Sequence, residues 1–341
     1  MRYPGRLGAG ASRTRTLAVR WSGAGEPIAR LVEPYRAYYA RVHGTTAYVG
    51  DPRPVRALAV ARVGLLSDDN PFGFEKPFRP DVNGWAPWKR YIERVATRWR
   101  RVMLWAPTGV FRENRKLNYP YQFTSFWQDG DRWGHRLGDA PQQLAAAVAS
   151  TGIELGLWWG RSAQIMDRWD TPRFTPFDPK NPEHRARAFK EMDGAVAAGA
   201  TMIGLDAFTN SGSMPLWEGY RWLLTLEQRY PGVTFITEKQ KPDFIHRIAP
   251  TYFFAYNRAA KNVTSIHDAA FLTQRHTLAD LLNPGHESWA GVEFTQLRRH
   301  LGVKITPEIR LGEVRRLLDL GYVPVVFGGE LNPGTMAGGR R

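Results

Sequence analysis

The 341-residue sequence has no cysteine, which excludes disulfides, thiol nucleophiles and thiolate-based zinc sites. It has no run of about 18 apolar residues, so neither a membrane-spanning helix nor a membrane partner is expected. Its start, Met1-Arg2-Tyr3-Pro4, is basic but has no apolar stretch behind it. The expectation is therefore no signal peptide and, by default, a cytoplasmic protein. Histidine is sparse: the eight residues stand singly, without a His-Glu-x-x-His or His-x-His pair. Gly-x-Ser-x-Gly, Gly-x-x-x-x-Gly-Lys and Gly-x-Gly-x-x-Gly are also missing, which argues against an α/β serine hydrolase, a P-loop enzyme and a dinucleotide-binding sheet. The acidic patches at 68–70 and 178–184 read as loop turns and helix caps, so no metal or cofactor is expected.

Lysine is the other scarcity, with only nine among the 47 basic residues. Against 32 acidic residues the chain carries a formal charge of +15, which first suggests an anionic partner. The arginines are scattered, apart from clusters such as Arg98, Arg100 and Arg101 or the pair Arg315 and Arg316. A GC-rich genome yields such an excess of Arg over Lys without selection for binding. Nucleic acid is accordingly not the expected partner, and the oligomeric state is left open.

What is present is a rhythm of short apolar runs alternating with helical patterns. The runs fall at 57–63, 102–107, 153–160, 201–208, 233–238, 251–257, 288–294 and 323–329. Helical periodicity or composition marks 87–101, 142–150, 183–199, 215–230 and 307–321, with Pro at the start and Gly at the end of the last two. Strands alternating with helices predict parallel βαβ units, and eight of them predict a (β/α)8 barrel, a TIM barrel, over 56–341. Residues 1–55 read as an N-terminal extension, partly disordered or the remnant of a β-domain. Within it, 16–21 could form a strand and 33–44 an amphipathic helix begun near Pro34.

Strand parity then locates chemistry. In the run 201–208, Ile203, Leu205 and Ala207 are expected toward the helices, and Met202, Gly204, Asp206 and Phe208 toward the barrel interior. In 233–238, Phe235 is expected outward and Glu238 inward. Asp206 and Glu238 then stand at the C-terminal tips of neighbouring strands, about 4.8 Å apart backbone to backbone. Two carboxylates so placed suit cleavage of a glycosidic bond, one as nucleophile or base and the other as proton donor. A competing reading ties each to a basic residue such as Lys239 or Arg161.

Aromatics give the second signal: 13 Trp, 13 Tyr and 17 Phe, many at strand tips. Indole rings offer flat faces to the C–H surfaces of sugars, although core packing uses the same side chains. Parity points Trp105 and Trp158 inward at the rim and Trp159 under a helix. Tyr256 stands past the sixth run, and Tyr119, Tyr121, Phe123, Phe126 and Trp127 crowd the long loop after the second.

The segments LGLWWGRS (155–162) and IGLDAF (203–208) resemble strands three and four of retaining α-galactosidase and α-glucosidase type barrels. The resemblance spans roughly residues 100–240 and implies a retaining α-glycosidase with Asp206 as nucleophile. That family carries its acid/base Asp on strand six, where this chain has TYFFAYN and no carboxylate. The α-amylase type uses a Glu on strand five, which Glu238 matches, but pairs it with an Arg two residues before the nucleophile, where this chain has Gly204. Asp268 and Glu293 are alternative acid/base candidates.

The expected function is thus a glycoside hydrolase acting on an α-linked glycoside or oligosaccharide. Arg161 and Tyr256 would orient hydroxyls, Trp105 and Trp158 would hold the ring, and Glu293 would line the site. If Arg161 faces the cleft, the carbohydrate is acidic. A non-catalytic carbohydrate-binding or structural barrel is the alternative.

Overall fold

The computed structural model describes residues 9–12, 14, 19–21, 23–25, 27–59, 92–105, 111–113, 116–118, 140–159, 162–166, 174–206, 208, 214–238, 243–254, 281–293, 304 and 306–327. They divide into two units, Met1–Gly44 and Thr45–Arg341. In the first, helix α1 (Ile28–His43) begins six residues before the expected start, leaving Pro34 inside it on an exposed position. It ends at Gly44, whose φ of 80° suits glycine and whose N–H donates to the Ala40 carbonyl at 2.8 Å. Residues 19–21 are not in a strand, and 16–18 lie outside the described residues.

The second unit is a closed barrel. Strands β1 (Val55–Ala59) and β2 (Arg101–Trp105) precede a two-stranded ribbon, β3 (Phe111–Glu113) with β4 (Lys116–Asn118). Helix α2 (Ala140–Thr151) leads to β5 (Glu154–Trp159), followed by a second ribbon, β6 (Gln164–Met166) with β7 (Phe174–Pro176). Helix α3 (Pro182–Ala197), β8 (Ala200–Leu205), α4 (Leu216–Arg229) and β9 (Thr234–Glu238) continue the alternation. Then come α5 (Asp243–His246), β10 (Thr251–Phe254), β11 (Ser288–Glu293), α6 (Pro307–Asp319) and β12 (Val323–Phe327). The sheet order β1-β12-β11-β10-β9-β8-β5-β2 closes a parallel barrel of eight strands, each within one of the eight predicted runs or at most two residues before it.

The helices form where capping and periodicity agree. Asn181 caps α3 by accepting from the Glu183 N–H at 2.9 Å, and Thr306 caps α6 by accepting from the Ile309 N–H at 3.3 Å. Helix α4 buries Gly219, Trp222, Leu223 and Leu226, a 3–4 spacing that makes one face. That face meets the outward residues of the sheet, including Leu157, Trp159, Ile203, Leu205 and Phe235, in the layer between barrel and helices.

A separate cluster fills the barrel itself: Val55, Ala57, Met103, Trp158, Met202, Ile236, Tyr252, Trp289, Val323 and Val325. Glycines make this packing possible. A Cβ on Gly204 would collide with the Trp158 ring, and one on Gly291 would collide with the Tyr252 hydroxyl. Trp158 and Tyr252 meet edge to face, with ring centres 5.1 Å apart.

The N-terminal end of the barrel is closed by polar groups. Arg101, 4% exposed, lies 4.8 Å from the Trp289 ring centre and donates to the carbonyls of Asp51 (2.8 Å) and Arg53 (3.1 Å). Its Nε is 3.7 Å from the Asp51 carboxylate and 3.6 Å from that of Glu154. Glu287 accepts from the Trp289 indole at 2.9 Å and from the Asp51 N–H. Beside it, the His286 and His246 rings stack 4.1 Å apart and 5° from parallel, with the Tyr48 hydroxyl 2.8 Å from His286 Nδ1. Burial, and secondarily the His246 ring, hold His286 well below the usual imidazole range.

Two predictions follow from this packing. Gly204→Ala forces a methyl into a rigid indole and is expected to cost about 1–3 kcal/mol in urea unfolding. Gly156→Ala, whose nearest neighbours are the flexible end of Met103 and, at 3.3 Å, the Met202 Cβ, should cost less; equal costs would refute the socket. His286 is neutral in the fold and titrates normally when unfolded. Its stabilisation is therefore complete above about pH 6.5 and falls on acidification by about 1.4 kcal/mol per pH unit. A stability profile between pH 7.5 and 5 should flatten in His286→Asn. An unchanged slope, with Glu287, Asp51, Arg101 and Arg247 still in place around the site, would show that His286 is not the titrating group.

Candidate functional site

The C-terminal end of the barrel begins where this inward packing stops. The register pairs Leu205 with Thr237, so the next residues along, Asp206 and Glu238, occupy one rung on adjacent strands. Both are half-buried. Asp206 stands two residues beyond Gly204, and Glu238 two beyond Ile236, both of which lie among the residues facing the interior.

The backbone at Asp206 is held from the β5 side. Its N–H donates to the Trp159 carbonyl at 3.1 Å, prolonging the ladder by one rung beyond β8. Its carbonyl accepts twice from Ser162, from the N–H at 2.9 Å and the hydroxyl at 2.8 Å. Ser162 is 1% exposed and sits where the chain turns from β5 into the β6–β7 ribbon. That ribbon is anchored by Ala163, Ile165 and Phe177, all buried against the helix layer. A packed ribbon therefore positions the tip of β8. Nothing in the sequence marked Ser162, because its bond is to a main-chain atom 44 residues away.

On the other side of Glu238, the register pairs it with Tyr252 of β10. Trp158 lies inside the barrel at 2% exposure and forms the floor below the two carboxylates. The ring occupies the space a side chain at 204 would need, so an arginine of the α-amylase type has no room there. Phe208, expected inward, is instead fully buried on the helix side with Leu205. The strand ends at Leu205 and Asp206 enters a turn, so alternation no longer governs the residues that follow.

The remaining candidates are placed less fully. Trp105 ends β2 and pairs in register with Trp158, and Glu293 ends β11 with the strand parity of inward-facing Trp289. The side chains of Trp105 and Glu293 lie outside the described residues, as do Arg161, Tyr256, Asp268, Lys239 and the aromatics of the loop 119–127. Among the described residues no group of three His, Asp or Glu side chains is arranged to hold a metal ion. In the 178–184 patch, Asp178 accepts from the Lys180 N–H in a turn and Asn181 caps α3.

Ser162→Ala removes one of two hydrogen bonds to the Asp206 carbonyl and is expected to cost about 1 kcal/mol in urea unfolding. No measurable loss would show that the hydroxyl does not hold the β8 tip.

No family model matches the chain, and no curated protein matches it in sequence. Solved structures do match in fold. The noncanonic maltogenic α-amylase AmyB from Thermotoga neapolitana superposes with a TM-score of 0.46 at 13% identity, covering 71% of this chain; the chain spans 59% of that protein. The ligand-free cyclic α-maltosyl-(1→6)-maltose hydrolase from Arthrobacter globiformis gives 0.49 at 12% identity, covering 82% and 74% of the two chains. The glycoside hydrolase domain of PelA from Pseudomonas aeruginosa gives 0.39 at 12% identity, covering 83% and 97%. Likeness at this level is a likeness of barrel.

Proposed function

We propose that the chain is a glycoside hydrolase that cleaves an α-linked glycoside or oligosaccharide through Asp206 and Glu238, with retention. The observation that carries this reading is the pair of half-buried carboxylates on one rung of adjacent strands, at the end of the barrel where such folds keep their chemistry. In the first step the Asp206 carboxylate attacks the anomeric carbon while the Glu238 carboxyl gives its proton to the departing glycosidic oxygen. In the second, Glu238 takes a proton from water, whose oxygen displaces Asp206 and regenerates both groups. The Ser162 clamp fixes the backbone from which Asp206 attacks. Trp105 and Trp158 hold the ring, Arg161 and Tyr256 orient hydroxyls, and Glu293 contributes to substrate binding. A binding barrel without hydrolysis is the second reading, and turnover by the wild-type chain separates the two.

A screen of aryl α- and β-glycosides, neutral and uronic, is expected to give turnover by the wild-type chain. Asp206→Asn should lower kcat by about 10²–10⁴-fold with the melting temperature unchanged. Glu238→Gln should lose most on substrates with poor leaving groups and least on dinitrophenyl glycosides, which depart without a proton. Full activity in Asp206→Asn would overturn the nucleophile, and saccharide binding without turnover would establish the second reading. A crystallographic carboxyl separation of ~5 Å fits retention, whereas ~6.5–9.5 Å would assign inversion.

A further inference from the structure

The strands that lead to Asp206 and Glu238 are held unequally. Strand β8 pairs with β5 at five positions and with β9 at four. Between β9 and β10, the described residues pair at only two, Thr251 with Thr237 and Tyr252 with Glu238. The Thr237 N–H also donates to the Pro250 carbonyl at 3.0 Å, one residue short of Glu238. Glu238 therefore stands at the end of a short parallel ladder, with Tyr252 beside it across the seam.

Tyr252 is anchored well beyond that ladder. It is fully buried in the cluster inside the barrel. Its ring meets that of Trp158 edge to face, with 5.1 Å between centres and 70° between planes. Its hydroxyl reaches β11, where a Cβ on Gly291 would collide with it. Trp158 is fixed in turn, because its ring fills the room left by Gly204, two residues before Asp206. Strands β5, β8, β10 and β11 thus meet through two rings and two glycines. Strand β9 joins that assembly on both sides, through its register with β8 and through the Tyr252–Glu238 pair. A ring packed at both ends resists displacement, since a close-packed interior offers no vacant space to move into.

We infer that Tyr252 is a positioning residue for Glu238: its ring, wedged between Trp158 and Gly291, sets where the tip of β9 stands. It thereby sets where the proton donor meets the glycosidic oxygen. The inference rests on the glycosidase reading and adds to that site a residue that acts through the strand and not on the substrate. Proton transfer depends steeply on geometry, and a misplacement of about 1 Å costs up to about 10²-fold. The ring fills most of the wedge, so phenylalanine should serve there nearly as well as tyrosine.

The test compares phenyl and 2,4-dinitrophenyl glycosides of a sugar that the wild-type chain turns over. Tyr252→Leu is expected to lower kcat/KM on the phenyl glycoside by about 10–100-fold, with little loss on the dinitrophenyl glycoside, which departs without a proton. Tyr252→Phe should restore the phenyl glycoside to near the wild-type rate. Tyr252→Leu added to Glu238→Gln should cost nothing beyond Glu238→Gln alone, because both act on one proton transfer. A purely structural role lowers the melting temperature and depresses both substrates alike. That outcome, or an undiminished rate on the phenyl glycoside, would overturn the inference. Should Tyr252→Leu not fold, Gly291→Ala carries the same expectation, because its methyl presses on the hydroxyl from β11. Its selective loss should be relieved in Gly291→Ala, Tyr252→Phe, where the hydroxyl is gone. Absent turnover of both substrates by the wild-type chain overturns the glycosidase reading and this inference with it. Wild-type turnover with even losses in the variants overturns the inference alone.

Discussion

Trp158 can lie inside the barrel only because Gly204, its neighbour on the next strand, has no side chain. Much of the upper architecture depends on that exchange of volume. A ring as large as indole fills a space that eight closely spaced strands would otherwise leave for several smaller residues. Tyr252 repeats the device against Gly291, and the two rings meet edge to face near the middle of the barrel. Among the described residues, the packed cluster inside the barrel reaches up to Trp158 and Ile236, which lie below the rung of Asp206 and Glu238.

The two ends of the barrel divide the work. At the N-terminal end, buried Arg101 donates to two carbonyls and lies near the Asp51 and Glu154 carboxylates and the face of Trp289. Removing a charge from water is costly, and these partners offset only part of that cost: burial still holds Arg101 below the usual guanidinium range. The stacked histidines lie beside it, where burial holds His286 well below the usual imidazole range. At the C-terminal end, Asp206 and Glu238 stand half-buried, and the Asp206 carbonyl is held by the Ser162 N–H and hydroxyl. Substitutions at the first end act on stability; under the proposed function, those at Asp206 and Glu238 act on chemistry.

Reading the sequence located all eight barrel strands, because each is a short apolar run bounded by polar turns. It also located α2, α3, α4 and α6, where Pro, Asn and Thr mark the starts, but not the single turn of α5. Local rules failed at three kinds of place. Helix α1 runs through Pro34, which helix grammar takes as a start, because its exposed position tolerates the lost hydrogen bond. Phe208 turned to the helix layer because the strand had already ended. The roles of Ser162, Arg101 and Glu287 rest on partners tens or hundreds of residues distant, which no window can contain.

The alternation of apolar runs and helices by itself determined a parallel eight-stranded barrel, because period-2 and period-3.6 patterns are local consequences of backbone geometry. It also determined which side of each strand Met202, Gly204 and Ile236 occupy, since side chains alternate along a regular strand. Only the tertiary structure decided that Asp206 and Glu238 stand on one rung, because register is set between strands about 30 residues apart. It alone decided, too, that the vacancy at Gly204 is filled by Trp158, since complementarity of volume exists only once the strands are side by side.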